Sequence, residues 1–420
     1  MKSDAGFADS TLTKPQLFSA QQIRDYQNRQ AALRRCTRCI SDESIPGIQF
    51  DQRGECNFCH THDAMELEYP TGVEGLKRLE ATFSEIRKQG RGKKYDCIVG
   101  VSGGCDSSYL LYICKQHGLR PLAVHFDNTW NSTAATQNIQ KMLKALDVDL
   151  FTLVVNNREY DDIYRAFLRA GVPDIEIPTD IGFAATLFNA ARQFKIPYVI
   201  EGHSFRTEGI APLGWIYMDG KYIKSVLNQF GTIPHPSFPN MSLLSFLRRL
   251  LFTRTKKLRP LYNLDYIKTD AMELLKRNFG WEWYGGHHLD NRFTGFFHTY
   301  FWPQRFGFDD RIIEISAHIR SKQMDRADGM EEIMQPRAYE PEIVALVKKR
   351  LGLSDAEFDT LMQLPKKCYQ DYPTYKRTFE LLRPFFWLMY KRGYVAKSFY
   401  IKYTLPQARP AWATAGHSRE

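Results

Sequence analysis

Residues 97–111 read CIVGVSGGCDSSYLL, an apolar run that stops at Ser-Gly-Gly and resumes four residues later. Short apolar strands alternate with helical segments from here on. The strands are predicted at 96–101, 121–127, 149–155 and 196–202, and the helices at 106–117, 133–147, 160–171 and 181–194. This alternation predicts an α/β fold, a doubly wound parallel sheet with helices on both faces.

The Ser-Gly-Gly interruption is suited to binding a phosphate. Ligands of such sheets bind at the carboxyl ends of the strands, where Gly103 and Gly104 let backbone N–H groups approach closely. The following helix adds its N-terminal donors, and the hydroxyls of Ser102, Ser107 and Ser108 are further donors. The spacing is neither that of a Walker A loop nor that of the dinucleotide fingerprint. An ordinary tight turn before a helix is the alternative.

Two carboxylates are placed at the same sheet edge. Asp106 follows the glycines, where it could cap the helix or hold a magnesium ion (Mg2+) that bridges phosphates. Asp127 ends the second predicted strand. It could contact the nucleotide or a metal, or simply cap its own loop.

Four of the eight cysteines form two Cys-x-x-Cys pairs, Cys36 with Cys39 and Cys56 with Cys59. Two such pairs can bring four thiolates together around one tetrahedral ion. The pattern predicts a structural zinc (Zn2+) ribbon, with an iron–sulfur cluster as the weaker alternative. The four scattered cysteines are interpreted as small apolar residues of the core.

Composition sets broad limits. The chain has 420 residues, 43% of them hydrophobic, and a formal net charge of +10. The length is enough for two or three domains. The charge favours anionic ligands without choosing among ATP, a sugar nucleotide and RNA. Without an apolar segment long enough to span a bilayer, and with a polar N-terminus, we expect a cytoplasmic protein.

Five regions are predicted. A polar arm (1–32) precedes the zinc ribbon (33–65) and an ATP-binding domain (70–230). A linker with a basic amphipathic segment (231–260) leads to a mainly helical C-terminal region (261–420) that completes the substrate site.

Strand–SGGCDS–helix resembles the pyrophosphate loop (PP-loop) of the N-type ATP pyrophosphatases. The ribbon CTRCISDESIPGIQFDQRGECNFC and the later segments FLRAGVPDIEIPTDIGFAATLF, WYGGHHLDNRFTGFF and SKQMDR carry a narrower resemblance. Over residues 33–335 the chain resembles the N-acetyl sugar amidotransferases of bacterial O-antigen (lipopolysaccharide) and nonulosonic-acid biosynthesis. The resemblance implies ATP-dependent conversion of an acetamido group of a nucleotide-linked sugar to an acetamidino group. The amide oxygen would be adenylated, and ammonia would displace AMP.

The resemblance also implies partners and site residues. Ammonia would come from a separate glutaminase and a cyclase-barrel subunit, and no nucleic acid partner is expected. Ser102, Gly103, Gly104, Asp106 and Ser107 would hold pyrophosphate. Position at the sheet edge and side-chain chemistry add further candidates. For the substrate side they are Asp174, Glu201, His203 and Arg206, and for catalysis they are Asp106, Asp180, His287 and His288.

Several of these have plainer interpretations. Asp180 could be only the N-cap of helix 181–194, and Glu201 and His203 could be satisfied strand-end residues. Arg206 could form a sugar or nucleotide pocket with Trp215 and Tyr217, because aromatic faces stack on rings and arginine binds phosphate. His287 stands where the resemblance leads us to expect lysine, so a fixed positive charge is replaced by a group that is partly charged at neutral pH.

Two other functions compete. A tRNA-thiolating enzyme would share the ribbon and the loop, but it commonly needs further reactive cysteines. A scaffold that has lost catalysis would not need an intact SGGCDS. Peripheral membrane contact of the basic segment is possible but less favoured than a partner interface.

Overall fold

The computed structural model describes residues 18–253, 255–286 and 289–413. Within this part of the chain, one five-stranded sheet forms the centre, in the order β3-β2-β1-β4-β5, and every pairing is parallel. The strands are β1 Cys97–Gly100, β2 Pro121–Asp127, β3 Leu150–Val154, β4 Tyr198–Ile200 and β5 Lys256–Leu258.

Helices make up most of the remainder. In the described part they are α1 Ala20–Ala31, α2 Asn57–Glu68, α3 Gly72–Gln89, α4 Cys105–Gln116, α5 Thr133–Leu146, α6 Asn157–Ala170, α7 Ile177–Gln193, α8 Gly220–Phe230, α9 Leu243–Arg248, α10 Lys268–Phe279, α11 Arg292–Phe296, α12 Arg311–Arg320, α13 Arg326–Ile333, α14 Pro341–Leu351, α15 Asp355–Gln363, α16 Lys376–Leu381, α17 Arg383–Lys391 and α18 Lys397–Thr404. Short 3-10 or π-helical turns lie at Arg249–Thr253, Pro260–Asn263, Phe297–Phe306 and Tyr369–Asp371.

Helices cover both faces of the sheet, which is why β1 is apolar along its whole length. Val99 belongs to a core cluster with Leu110 of α4, whereas its neighbour Ile98 belongs to another with Leu187 of α7. Successive strand residues point to opposite faces. The predicted doubly wound α/β fold is therefore confirmed.

The strand order indicates where a ligand would bind. From β1 the chain steps outward to β2 and β3, and it then crosses to β4 on the other side of β1. The carboxyl ends of β1 and β4 therefore flank the topological switch point, where open α/β sheets bind their ligands. The predicted Ser102-Gly103-Gly104 turn leaves β1 at this point.

Two boundaries differ from the sequence prediction. Helix α7 begins at Ile177, so Asp180 lies in its first turn and is not its N-cap. The helix starts early because Pro178 is tolerated in a first turn, where its missing N–H has no intrahelical partner to lose. The fifth strand, Lys256–Leu258, lies in the segment predicted as linker. This strand was not predicted because it contains two lysines. It lies at the edge of the sheet, where charge is tolerated.

The start of the described chain contacts the C-terminal region. Helix α1 covers the end of the predicted arm, and the Tyr26 hydroxyl lies 3.2 Å from the Ile333 carbonyl and 3.3 Å from Asp309 Oδ2. The region after β5 is mainly helical, as predicted, around an aromatic core. Among the described helices, none combines the length and the apolar character that a bilayer crossing requires.

Candidate active site

The turn after β1 needs its glycines. Gly103 has φ +85°, and a Cβ at this position would lie 2.2 Å from the Ala135 carbonyl oxygen. The carbonyl of Gly103 is held by Trp281 Nε1 at 3.1 Å and Asn138 Nδ2 at 3.3 Å. Because these contacts fix the turn, the N–H groups at the start of α4 are held at the predicted anion site.

The serines divide into two groups. Ser102 Oγ accepts from the Gly104 N–H at 3.2 Å, and Ser107 Oγ donates to the Gly104 carbonyl at 3.2 Å. Both hydroxyls therefore lie on the turn itself and shape it. Ser108, the third predicted donor, is buried, and it borders a small internal cavity that Gly103 and Leu111 also line. It supports the loop from within the core.

Asp106 lies on the first turn of α4 with two partners that the sequence analysis missed. The Tyr266 hydroxyl donates a 2.6 Å hydrogen bond to Asp106 Oδ1. Burial raises the pKa of Asp106 to about 6, although the nearby Lys268 ammonium acts in the opposite direction. Lys268 in turn pairs with Glu314 of α12 at 3.2 Å. An ionised carboxylate beside the anion site is what a bridging Mg2+ would need.

The segment that contains the predicted histidines borders the loop. Tyr284 Oη lies 3.1 Å from the position that a Gly104 Cβ would take. The Asp290 carbonyl accepts from the Ser132 N–H at 2.8 Å. His287 and His288 themselves lie outside the described residues, so their roles stay a prediction.

The residues after β4 are held by ion pairs. Glu201 pairs with Lys257 and, at 3.4 Å, with Arg259. Burial opposes ionisation of Glu201, but the two cations hold its pKa below the usual value. His203 pairs closely with Glu208. Glu201 and His203 thus lie at the predicted edge with protein partners.

The guanidinium group of Arg206 is bound to other groups of the protein. It forms a bidentate pair with Glu66, at 2.8 and 2.7 Å, and it donates to the Tyr262 and Tyr69 carbonyls. Its side chain is buried, so it joins the ribbon region to the sheet domain in this conformation. The expected pocket with Trp215 and Tyr217 is wrong, because both rings are buried in the aromatic core, against Phe308 and Tyr369 respectively.

Asp127 acts as a loop cap. Its Oδ1 accepts from the Thr129 N–H at 2.7 Å and from Asn131 Nδ2 at 3.1 Å. The amide of Asn291 reaches the same loop and donates to Asn128 Oδ1 at 2.8 Å. Sequence reasoning missed these asparagines, because an isolated amide in a loop carries no signal until its partners are known.

A cluster of charged groups surrounds the start of α7. Asp180 is exposed to solvent, and yet burial by the surrounding protein raises its pKa to about 6. Because solvent reaches Asp180 while protein surrounds it, we interpret its position as the wall of a cleft. Lys402 of α18 and His298 are the charges that act on it. Lys402 was missed, since it lies far along the chain among other lysines.

Two buried carboxyl groups support this wall. Glu176 accepts from the Thr294 hydroxyl at 2.9 Å, and burial raises its pKa to about 8. Asp174 accepts from the Tyr217 N–H and the Tyr222 hydroxyl, and burial raises its pKa to about 7. Asp174 is 1% exposed, so it can only support the cleft wall from inside the protein.

The four predicted metal ligands converge. The Sγ atoms of Cys36 and Cys59 are 3.7 Å apart, those of Cys39 and Cys56 are 3.7 Å apart, and all four lie within 4.8 Å of one another. Zinc–sulfur bonds of about 2.3 Å in a tetrahedron place the sulfurs about 3.8 Å apart. The tetrad therefore fits one ion, whereas a cubane cluster binds each thiolate to a different iron and needs a wider spacing.

Parts of the chain are similar to known proteins. Residues 290–385 match the family model described as "LPS biosynthesis protein WbpG-like, C-terminal domain". An uncharacterized protein of Methanocaldococcus jannaschii is 27% identical over 172 residues, which are 40% of this chain and 58% of that protein. The tRNA-specific 2-thiouridylase MnmA of Colwellia psychrerythraea is 30% identical over 125 residues, 26% of this chain. The chain thus spans 58% of the first relative and 33% of the second.

Two solved structures were also found to be similar. The NH3-dependent NAD synthetase of Campylobacter jejuni has 12% identity and a TM-score of 0.29, over 66% of this chain and 93% of that one. The U34-tRNA thiolase NcsA of Methanococcus maripaludis, with its [4Fe-4S] cluster, has 11% identity and a TM-score of 0.25, over 77% and 98%. At these scores the fold assignment rests on the sheet described above.

Proposed function

We propose that this chain, a PP-loop protein with a WbpG-like C-terminal domain, is an ATP-dependent amidotransferase. It would convert the acetamido group of a sugar precursor of a bacterial surface polysaccharide to an acetamidino group. One observation carries the proposal. Asn291, in the first residues of the WbpG-like domain, donates to Asn128 in the loop after β2, so the matched domain begins beside the sheet edge at which ATP would bind.

The chemistry needs an activated amide. An amide oxygen is a poor leaving group, and transfer of AMP from ATP onto that oxygen converts it to a good one. Pyrophosphate leaves in this step, ammonia then attacks the imidate carbon, and AMP departs with the former amide oxygen. The turn at Ser102–Ser107 and the start of α4 would hold the departing pyrophosphate. Asp106 would ligate Mg2+, which neutralises phosphate charge when it is bound.

The sugar would occupy the cleft beside α7. Asp180 and Lys402 offer an acceptor and a donor there, and Thr294 of the WbpG-like domain anchors Glu176 behind them. Hydroxyl-rich ligands are recognised by such paired polar groups. Ammonia is largely protonated at neutral pH, so a partner glutaminase with a cyclase-barrel subunit is part of the proposal. The cysteine tetrad would hold one structural zinc ion.

Thiolation of tRNA is less well supported. All eight cysteines of the chain are described, and all are buried. Cys105, the cysteine of the SGGCDS segment, has its Sγ 3.6 Å from Tyr266 Oη, and burial raises its pKa to about 12. A sulfur relay needs an accessible thiolate.

The test uses the purified full chain with ATP, Mg2+, ¹⁵N-ammonium at alkaline pH and a panel of UDP- and CMP-linked N-acetyl sugars. We expect sugar-dependent release of pyrophosphate and nitrogen-15 in the product. Asp106→Asn is the matched control and should abolish both signals. Pyrophosphate release that depends on tRNA and a sulfur donor, and not on any sugar, would favour thiolation.

A further inference from the structure

Arg320, the last residue of α12, is inserted among the four cysteines. Its Nη2 lies 3.1 Å from Cys39 Sγ and 3.7 Å from Cys56 Sγ, and its Nε lies 3.4 Å from Cys59 Sγ. The side chain is 6% exposed, and Nη2 also donates to Ser41 Oγ at 2.9 Å. One guanidinium group from the C-terminal region thus faces three of the four sulfurs.

The charges explain this arrangement. Four thiolates around one divalent cation leave a net charge of −2, and all four cysteines are fully buried. A buried charge is costly unless it is paired and hydrogen-bonded. Arginine presents several N–H donors in a rigid planar fork, so it can pair with more than one sulfur at once. A lysine at this position would supply the charge without the fork.

The same helix reaches the ATP site. Glu314, farther back on α12, pairs with Lys268 at 3.2 Å. Just beyond the helix, Gln323 Nε2 donates to the Tyr266 carbonyl at 3.1 Å, and the Tyr266 hydroxyl donates to Asp106. A displacement of α12 would therefore move both neighbours of Asp106.

We propose that Arg320 donates hydrogen bonds to the metal-bound thiolates, and that metal occupancy positions Asp106 through Arg320, α12 and the contacts of α12 with Lys268 and Tyr266. Arg320 is then a positioning residue, since it acts on the ATP site only through other groups. The second half of this inference rests on the proposed function, because it assumes that ATP binds at Asp106. The first half concerns the metal alone.

The first experiment measures zinc content and the rate of zinc transfer to a coloured chelator, using the full chain. Arg320→Met should release zinc at least about tenfold faster than the unchanged chain, and Arg320→Lys should lie between them. Arg311→Met, at the other end of the same helix, is the matched control and should behave as the unchanged chain. If Arg320→Met fails to fold, Arg320→Lys decides. Release at the unchanged rate in a folded Arg320 variant would show that Arg320 does not stabilise the metal-bound thiolates.

The second experiment measures coupling. Coupling between two sites is reciprocal. The zinc affinity of the full chain is measured by chelator competition with and without saturating ATP in excess magnesium. ATP should raise this affinity by about fivefold or more. Glu314→Gln should leave the zinc release rate unchanged and reduce this coupling.

The outcomes separate the two claims. Zinc affinity that ignores bound ATP would overturn the coupling and leave the amidotransferase proposal intact. Absence of ATP binding by the loaded chain would contradict both the coupling and the proposed function, and the zinc release rates would still decide the role of Arg320.

Discussion

The Tyr266 hydroxyl donates a 2.6 Å hydrogen bond to Asp106 Oδ1 at the start of α4. Tyr266 is 2% exposed, so this hydrogen bond is shielded from water. Burial raises the pKa of Asp106, and the hydrogen bond from Tyr266 opposes that rise. The ionised form that would bind Mg2+ therefore depends on a residue far away in the sequence.

Tyr266→Phe removes this donor. We expect a higher pKa of Asp106, so the acidic limb of the pH–rate profile should move to higher pH, with slower pyrophosphate release at pH 6 than at pH 8. The measurement is pyrophosphate release between pH 5 and 9. Tyr112→Phe, on the same helix as Asp106, should leave the profile unchanged. An unshifted profile in Tyr266→Phe would show that Asp106 does not control the acidic limb.

Gly103→Ala should stop pyrophosphate release, because the new methyl group would meet the Ala135 carbonyl at 2.2 Å. Gly118→Ala is a matched control, with φ +70° and no atom within 4 Å of the new Cβ. Both substitutions incur backbone strain of about 1–3 kcal/mol. Only the first should distort the loop. The idea fails if both variants lose activity to the same degree.

Glu176→Gln tests the buried carboxyl group of the cleft wall. Its pKa is raised to about 8 by burial and by Asp180, so the folded state binds a proton that the unfolded state releases. Stability from this group is present below about pH 4 and falls as pH rises through about 8.

Glutamine stays neutral, so the variant should gain on the order of 1–3 kcal/mol at pH 8.5. Little change is expected at pH 4. The check is the unfolding free energy from urea titrations at the two pH values. A variant that is less stable at pH 8.5 would mean that the ionised form is favoured in the fold.

Lys402→Met should weaken sugar binding, because Lys402 is the cation that α18 brings to Asp180. We expect the KM for the sugar to rise about tenfold or more, which corresponds to loss of one charge-assisted hydrogen bond. The KM for ATP should change little. Lys397→Met, an exposed lysine of the same helix, is the control. Equal effects on both KM values would place Lys402 outside the sugar site.

The overall fold could be predicted well from the sequence, because the patterns that indicate it are local. Apolar strands alternate with helices around the SGGCDS turn, and the paired cysteines predict their own convergence. The burial of Ser108 could not be predicted, since a helical residue next to a loop can point to either side. The partners of Asp106, namely Tyr266 and Lys268, come from segments that only the tertiary fold brings together. Arg206 and Lys402 show the same limit, because nothing in a lone cation indicates which carboxylate it will face.

The central claim is transfer of AMP to the amide oxygen of the sugar. A substrate with oxygen-18 in its acetamido carbonyl tests this directly, with mass spectrometry of the AMP that is released. The account predicts AMP that carries the heavy oxygen, together with an acetamidino product that has lost it. Unlabelled AMP from a reaction that still consumes ATP would contradict the account, because the oxygen would then come from water.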